Sequence, residues 1–190
     1  ERLSRRGEHP RRILAPTSPP AQDAAVDWKI VFAGGIAYYL AQFLVSIVLG
    51  QLIHAPDTGV LAESYRATAA FWRPELSPES FDPRIVWRLW LPSGLIGAFL
   101  AAGAFSVIRP ALAGPPWRQG LKFGVIALVF AIVNALGYNG IFNLPGRIWV
   151  WWMVGAAVMY LAAGPVLGWV SGKLAPPRKR PLTQGGVGDV

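Results

Sequence analysis

The chain has 190 residues, of which 53% are hydrophobic and 15% charged, too little polar surface to clothe a water-soluble fold of this size. Its net charge is +8, but Lys and Arg gather in the tails and at the ends of apolar runs, where anionic lipid head groups rather than nucleic acid are the nearer partner. The lack of cysteine excludes disulfides, thiolate nucleophiles, Cys-bound zinc and iron–sulfur clusters on this chain.

Residues 1–28 read as a basic arm. It carries Arg2, Arg5, Arg6, Arg11 and Arg12 among Pro10, Pro16, Pro19 and Pro20, a composition that cannot bury enough apolar surface to fold alone. Four charge-free apolar runs follow: Ile30–Ile53, Leu89–Ile108, Phe123–Phe142 and Ile148–Val170. Each is long enough to cross a hydrocarbon core of ~30 Å. They predict an all-α, polytopic integral membrane protein whose transmembrane domain covers 29–172, with spans at about 30–53, 87–108, 123–142 and 148–170.

In the first span, Gln42 lies near mid-membrane, and His54 closes the run beside Gln51 and close to Asp57. His54 is a candidate contact for a pigment, haem or quinone, or a base oriented by a carboxylate; a role in capping or head-group contact is the simpler expectation. Tyr38, Tyr39 and Trp28 are further candidate contacts. In the loop over 54–86, Asp57 and Thr58 are placed to cap a short helix. Leu61, Tyr65, Thr68 and Trp72 then share one face, which predicts an amphipathic helix lying on the membrane surface. Pro74, Pro78 and Pro83 break regular structure after it, and Glu75, Glu79 and Asp82 among them read as a solvated acidic stretch.

The second span carries small residues, Gly94, Gly97 and Ala101 among them, and the fourth carries Gly164, Gly168 and Gly172 at intervals of four. Such rows let another helix backbone approach closely. The partner helix is expected within this chain, with a second copy as the alternative; Pro165 adds an expected kink. Asn134, mid-way along the third span, pairs naturally with Gln42 in an interhelical hydrogen bond, and either amide oxygen is a secondary candidate ligand for a pigment's magnesium. The nine tryptophans fall at the two expected interfaces. Trp87, Trp90, Trp149 and Trp152 crowd one of them and are candidates for partner, lipid or flat-cofactor contact.

Residues 173–190 form a basic and then Gly-rich tail. Counting Lys and Arg by side gives thirteen on the side of the termini against five opposite, so the positive-inside rule puts both termini in the cytoplasm of a bacterial inner membrane. The spans hold no ionisable residue to couple ion flow, and no nucleophile elbow, metal-binding pair or phosphate loop occurs. The reading this supports is a non-catalytic accessory subunit of a larger bioenergetic complex, photosynthetic or respiratory, whose partners are other membrane subunits and anionic lipids. The alternative is a small membrane carrier or lipid-handling enzyme, dimeric through Gly164, Gly168 and Gly172. No motif names a cofactor; pigment, quinone and lipid contact stay open.

Overall fold

The computed structural model describes residues 25–73 and 84–175, apart from the side chain of Val86. The Pro-rich arm over 1–24, the acidic proline stretch over 74–83 and the tail over 176–190 lie outside the described residues. Those that are described form helices and turns, with no strand among them. Four helices are long and apolar enough to cross a membrane: α1 (Ile30–His54), α3 (Trp87–Ala111), α4 (Pro116–Asn139) and α5 (Gly146–Leu174). A short helix, α2 (Ala62–Ala67), sits between the first two.

Their boundaries follow local chemistry. α4 begins seven residues before the apolar run, because Pro115 and Pro116 suit a helix start and Arg118 and Lys122 can extend toward water from inside a helix. α5 likewise overruns its apolar run at both ends, and Pro165 does not interrupt it. α1 opens and closes in wide π-type turns, Ile30–Gly34 and Gly50–His54. The α3–α4 turn depends on Gly114, the one positive φ among the described residues, at 113°.

The spans stand in a row, with principal contacts running α3 to α1, α1 to α5 and α5 to α4, and α3 also meets α4 and α5 near one end through Phe105 and Arg109. Adjacent glycines let α1 serve two neighbours: a Cβ on Gly34 would meet Leu167 of α5, and one on Gly35 would meet Phe99 of α3. α4 and α5 touch through backbone. Gly120 and Gly124 of α4 face Gly164 and Gly168 of α5 backbone to backbone, and the Pro116 ring sits against Gly172, so the antiparallel helices approach closely. The glycine row of α5 is thus filled from within the chain and is not open to a second copy.

One core lies toward the chain-terminal end of the spans, where Lys29, Arg109, Arg118, Lys122 and Lys173 gather; we call this the basic end. Its members include Tyr38, Ala102, Phe105, Phe123 and Leu167, and Phe105 meets Phe123 with ring centroids 5.3 Å apart. A smaller core of Ile53, Leu61 and Ile148 lies at the opposite, loop end. α4 buries residues only at Gly120, Phe123 and Gly124. From Val125 onward it presents no buried residue.

Candidate functional site

The densest polar and aromatic arrangement lies at the loop end, where α2 folds down onto the ends of α1 and α5. Leu61 is fully buried and its N–H donates to the carbonyl of Ile53. That plants Tyr65, one turn later, between His54 and Trp152. Trp152 donates its indole N–H to Tyr65 Oη at 2.9 Å, and His54 Nδ1 lies 2.7 Å from the same oxygen. An indole can only donate, so the phenol accepts there and its own proton is free for His54 Nδ1. In that arrangement the histidine's ring proton sits on Nε2.

Ring packing closes the cluster. Tyr65 meets Trp72 edge-on at 5.1 Å, Trp72 meets Trp152 at 6.0 Å, and Trp152 meets Trp149 at 5.4 Å, spacings at which aromatic pairs attract. Thr68 joins in by accepting from the Trp72 indole at 2.9 Å while donating to the Ser64 carbonyl. Burial pushes the Tyr65 phenol above the ordinary tyrosine range, partly offset by the bond from Trp152. Tyr65 therefore stays protonated at neutral pH and serves as a fixed hub.

Several expected features are corrected here. The face Leu61–Tyr65–Thr68–Trp72 exists, but it turns onto α1 and α5 instead of lipid, because Leu61 finds an apolar seat there and Tyr65 finds two polar partners. Asp57 and Thr58 do not cap α2, which begins after Leu61 without a side-chain cap. Asp57 instead accepts from Arg66 at 3.0 Å, so it does not orient His54; Tyr65 does.

The four tryptophans divide. Trp87 and Trp90 are exposed, at 69% and 52%. Trp149 is only 4% exposed and Trp152 is half-buried, so both turn inward as parts of the cluster. Gln42 and Asn134 are not joined: Asn134 is exposed and donates to the Phe130 carbonyl of its own helix, which satisfies the amide locally. Gly94 takes the ring of Tyr39 from α1 and Ala101 packs against the core, whereas a Cβ on Gly97 would meet nothing within 4 Å. Gly97 belongs to the outward face of α3, not to a contact within the chain.

Two functional elements escaped the sequence reading. Arg109 is 8% exposed and bridges the end of α3 to the last turn of α5. Its Nη1 donates to the carbonyls of Ser171 at 3.2 Å and Ala175 at 2.8 Å, and its Nε donates to Gln119 at 3.1 Å. It caps the Ala175 carbonyl, adds a second donor to the Ser171 carbonyl that the Ala175 N–H already reaches, and places a cation at the negative end of the dipole. The second element is the α4 side of the glycine seam, whose signal was present as Pro116, Gly120 and Gly124 at intervals of four.

Among the described residues, no three His, Asp or Glu side chains gather where they would hold a metal. A shallow apolar groove is lined by Leu44, Val45, Val48, Leu49 and Val158 on α1 and α5. Comparison with protein-family models, with curated proteins and with solved structures finds no match for this chain.

Proposed function

We propose that this multi-pass protein is a non-catalytic accessory subunit that assembles laterally, through the outward face of α3, with a larger membrane complex. The proposed setting is a bioenergetic complex of the inner membrane, and the distribution of Lys and Arg favours both termini cytoplasmic. The observation that carries this reading is the order of the spans. α3 ends the row, packs along α1 and meets α4 and α5 through Phe105 and Arg109, and leaves Leu89, Trp90, Ile96 and Leu100 exposed around Gly97. The small-residue row on α5 is filled by α4; on α3, Gly94 and Ala101 turn to α1 and the core, while Gly97 has no helix against it. Within a bilayer, close approach and interhelical hydrogen bonds supply the drive for association that apolar burial supplies in water. An outward glycine is therefore where a neighbour's helix gains contacts that lipid does not give.

The experiment is to capture the tagged full-length chain from native membranes in mild detergent, comparing Gly97→Ile with the parent. Among the described residues a Cβ at this position meets nothing within 4 Å, so the fold leaves room for the substitution. Loss of stoichiometric membrane partners in Gly97→Ile, with unchanged yield of the chain itself, supports the reading. A particle of one or two copies in the parent sinks it.

A further inference from the structure

The membrane-facing side of α4 has its own order. At about 100° per residue, Arg118, Lys122, Val125, Val129, Val133 and Leu136 fall within an arc of about 80°, and this stripe lies opposite the Gly120–Gly124 seam. All six side chains are exposed, the valines at 46%, 54% and 60%. The two cations therefore stand one turn apart at the basic end, and a continuous aliphatic track leads away from them into the span. From Lys122 to Val133 is ~16 Å along the axis, close to the depth of one leaflet, ~15 Å.

The cations are held and unneutralised. Arg118 stacks with its guanidinium carbon 5.3 Å from the centroid of the exposed Trp117 ring. Lys122 donates one proton to the Ala113 carbonyl at 2.8 Å, which leaves its other two free. The loop beneath them is braced by Gln119, which donates to the Gly114 carbonyl and accepts from Arg109. Among the described residues neither cation has a carboxylate partner; the ion pair of Arg66 with Asp57 lies at the opposite end.

We propose that this stripe holds one anionic phospholipid, with its phosphate on Arg118 and Lys122 and one acyl chain along Val125, Val129 and Val133. A phosphodiester supplies the two acceptors that a guanidinium edge and an ammonium require. The chain's track is of leaflet length, and Trp117 sits at head-group level. A soluble phosphate offers the charge without the track, and a zwitterionic lipid offers the track without net charge. The proposal rests on α4 crossing a membrane, not on the identity of any partner at α3.

The test is native mass spectrometry of the detergent-solubilised full chain, titrated separately with dioleoyl-phosphatidylglycerol, dioleoyl-phosphatidylcholine and glycerol phosphate. One phosphatidylglycerol is expected to be retained in preference to the other two. R118Q/K122Q is expected to weaken it about thirtyfold, since each basic residue near a membrane surface contributes about fivefold. K29Q/K173Q, which neutralises two other cations of the same end, is expected to leave that adduct in place. Helix content by circular dichroism checks that both variants are folded. Equal retention of phosphatidylcholine, equal binding of glycerol phosphate, or an unchanged adduct in R118Q/K122Q would each overturn the proposal.

Discussion

Gly120 and Gly168 stand so close that a Cβ added to either would fall 2.8 Å from the Cα of the other. The obstacle on each side is backbone, which has no rotamer to escape into, so even a methyl group forces the two helices apart. Gly168→Ala is expected to cost roughly 1–3 kcal/mol, the range for overpacking a fitted interface, and Gly168→Leu more. Gly137, near the end of α4, has nothing within 4 Å of an added Cβ; Gly137→Ala should be neutral or stabilise by up to ~1 kcal/mol. Unfolding in mixed micelles titrated with a denaturing detergent separates the two. Equal midpoints for Gly168→Ala and Gly137→Ala would refute the backbone seam.

Tyr65 holds α2 by one oxygen that serves both Trp152 and His54. Tyr65→Phe keeps the ring packing and removes both bonds, so the expected cost is about 1–2 kcal/mol. The loss is local, and it should appear as faster proteolysis within residues 55–73 and a red shift of tryptophan emission as Trp72 and Trp152 meet water. Tyr138→Phe is the comparison, because Tyr138 is 51% exposed at the same end and its ring contact with Phe142 does not need the hydroxyl. If both variants behave alike, Tyr65 is not the hub.

What the sequence reveals and conceals here has a physical basis. The four spans are legible because a charge-free run of some twenty residues has few uses other than crossing a bilayer. The seam was half legible: Gly164, Gly168 and Gly172 stand out in an apolar run, while Gly120 lies between Arg118 and Lys122, where the charges suggested loop. The order of the helices was not legible at all. In lipid every face of a span is apolar, so periodicity marks no inward side, and Gly97 and Gly164 look alike until the fold sets no helix against the one and α4 against the other. The same limit explains Asn134, whose mid-span polarity suggested a partner across the bundle although a carbonyl one turn back suffices. Tyr65 was placed on the right face of the right helix, but what that face meets depends on where α5 ends in space.

Arg109 is where a basic residue does structural work inside the fold. Truncation by Arg109→Ala leaves the Ala175 carbonyl without its donor, leaves that of Ser171 only the Ala175 N–H, and loses charge-assisted bonds, for an expected ~2–3 kcal/mol. Arg109→Lys keeps the cation but not the planar fork, and a point charge cannot reach Gln119 and two carbonyls together; its cost should fall between the parent and Arg109→Ala. Hydrogen exchange over the last turn of α5 should rank the three in that order. Unchanged protection in Arg109→Ala would show that the cap contributes nothing.

Orientation rests on a subtler balance. Among the described residues the two ends carry equal numbers of basic groups: Lys29, Arg109, Arg118, Lys122 and Lys173 at one, Arg66, Arg73, Arg84, Arg88 and Arg147 at the other. The thirteen-to-five excess therefore comes wholly from the arm and the tail. Because the chain has no cysteine, single substitutions at the exposed Thr58 and Ala113 report the two ends without background. A membrane-impermeant maleimide is expected to label Thr58→Cys in intact cells and Ala113→Cys only after permeabilisation. Replacing Arg2, Arg5, Arg6, Arg11 and Arg12 with glutamine cuts the excess to eight against five, and a mixed labelling pattern is then expected, since the bias is counted over charges near the span ends. Uniform orientation after that change would mean that the spans themselves, and not the arm, decide which way the protein enters the membrane.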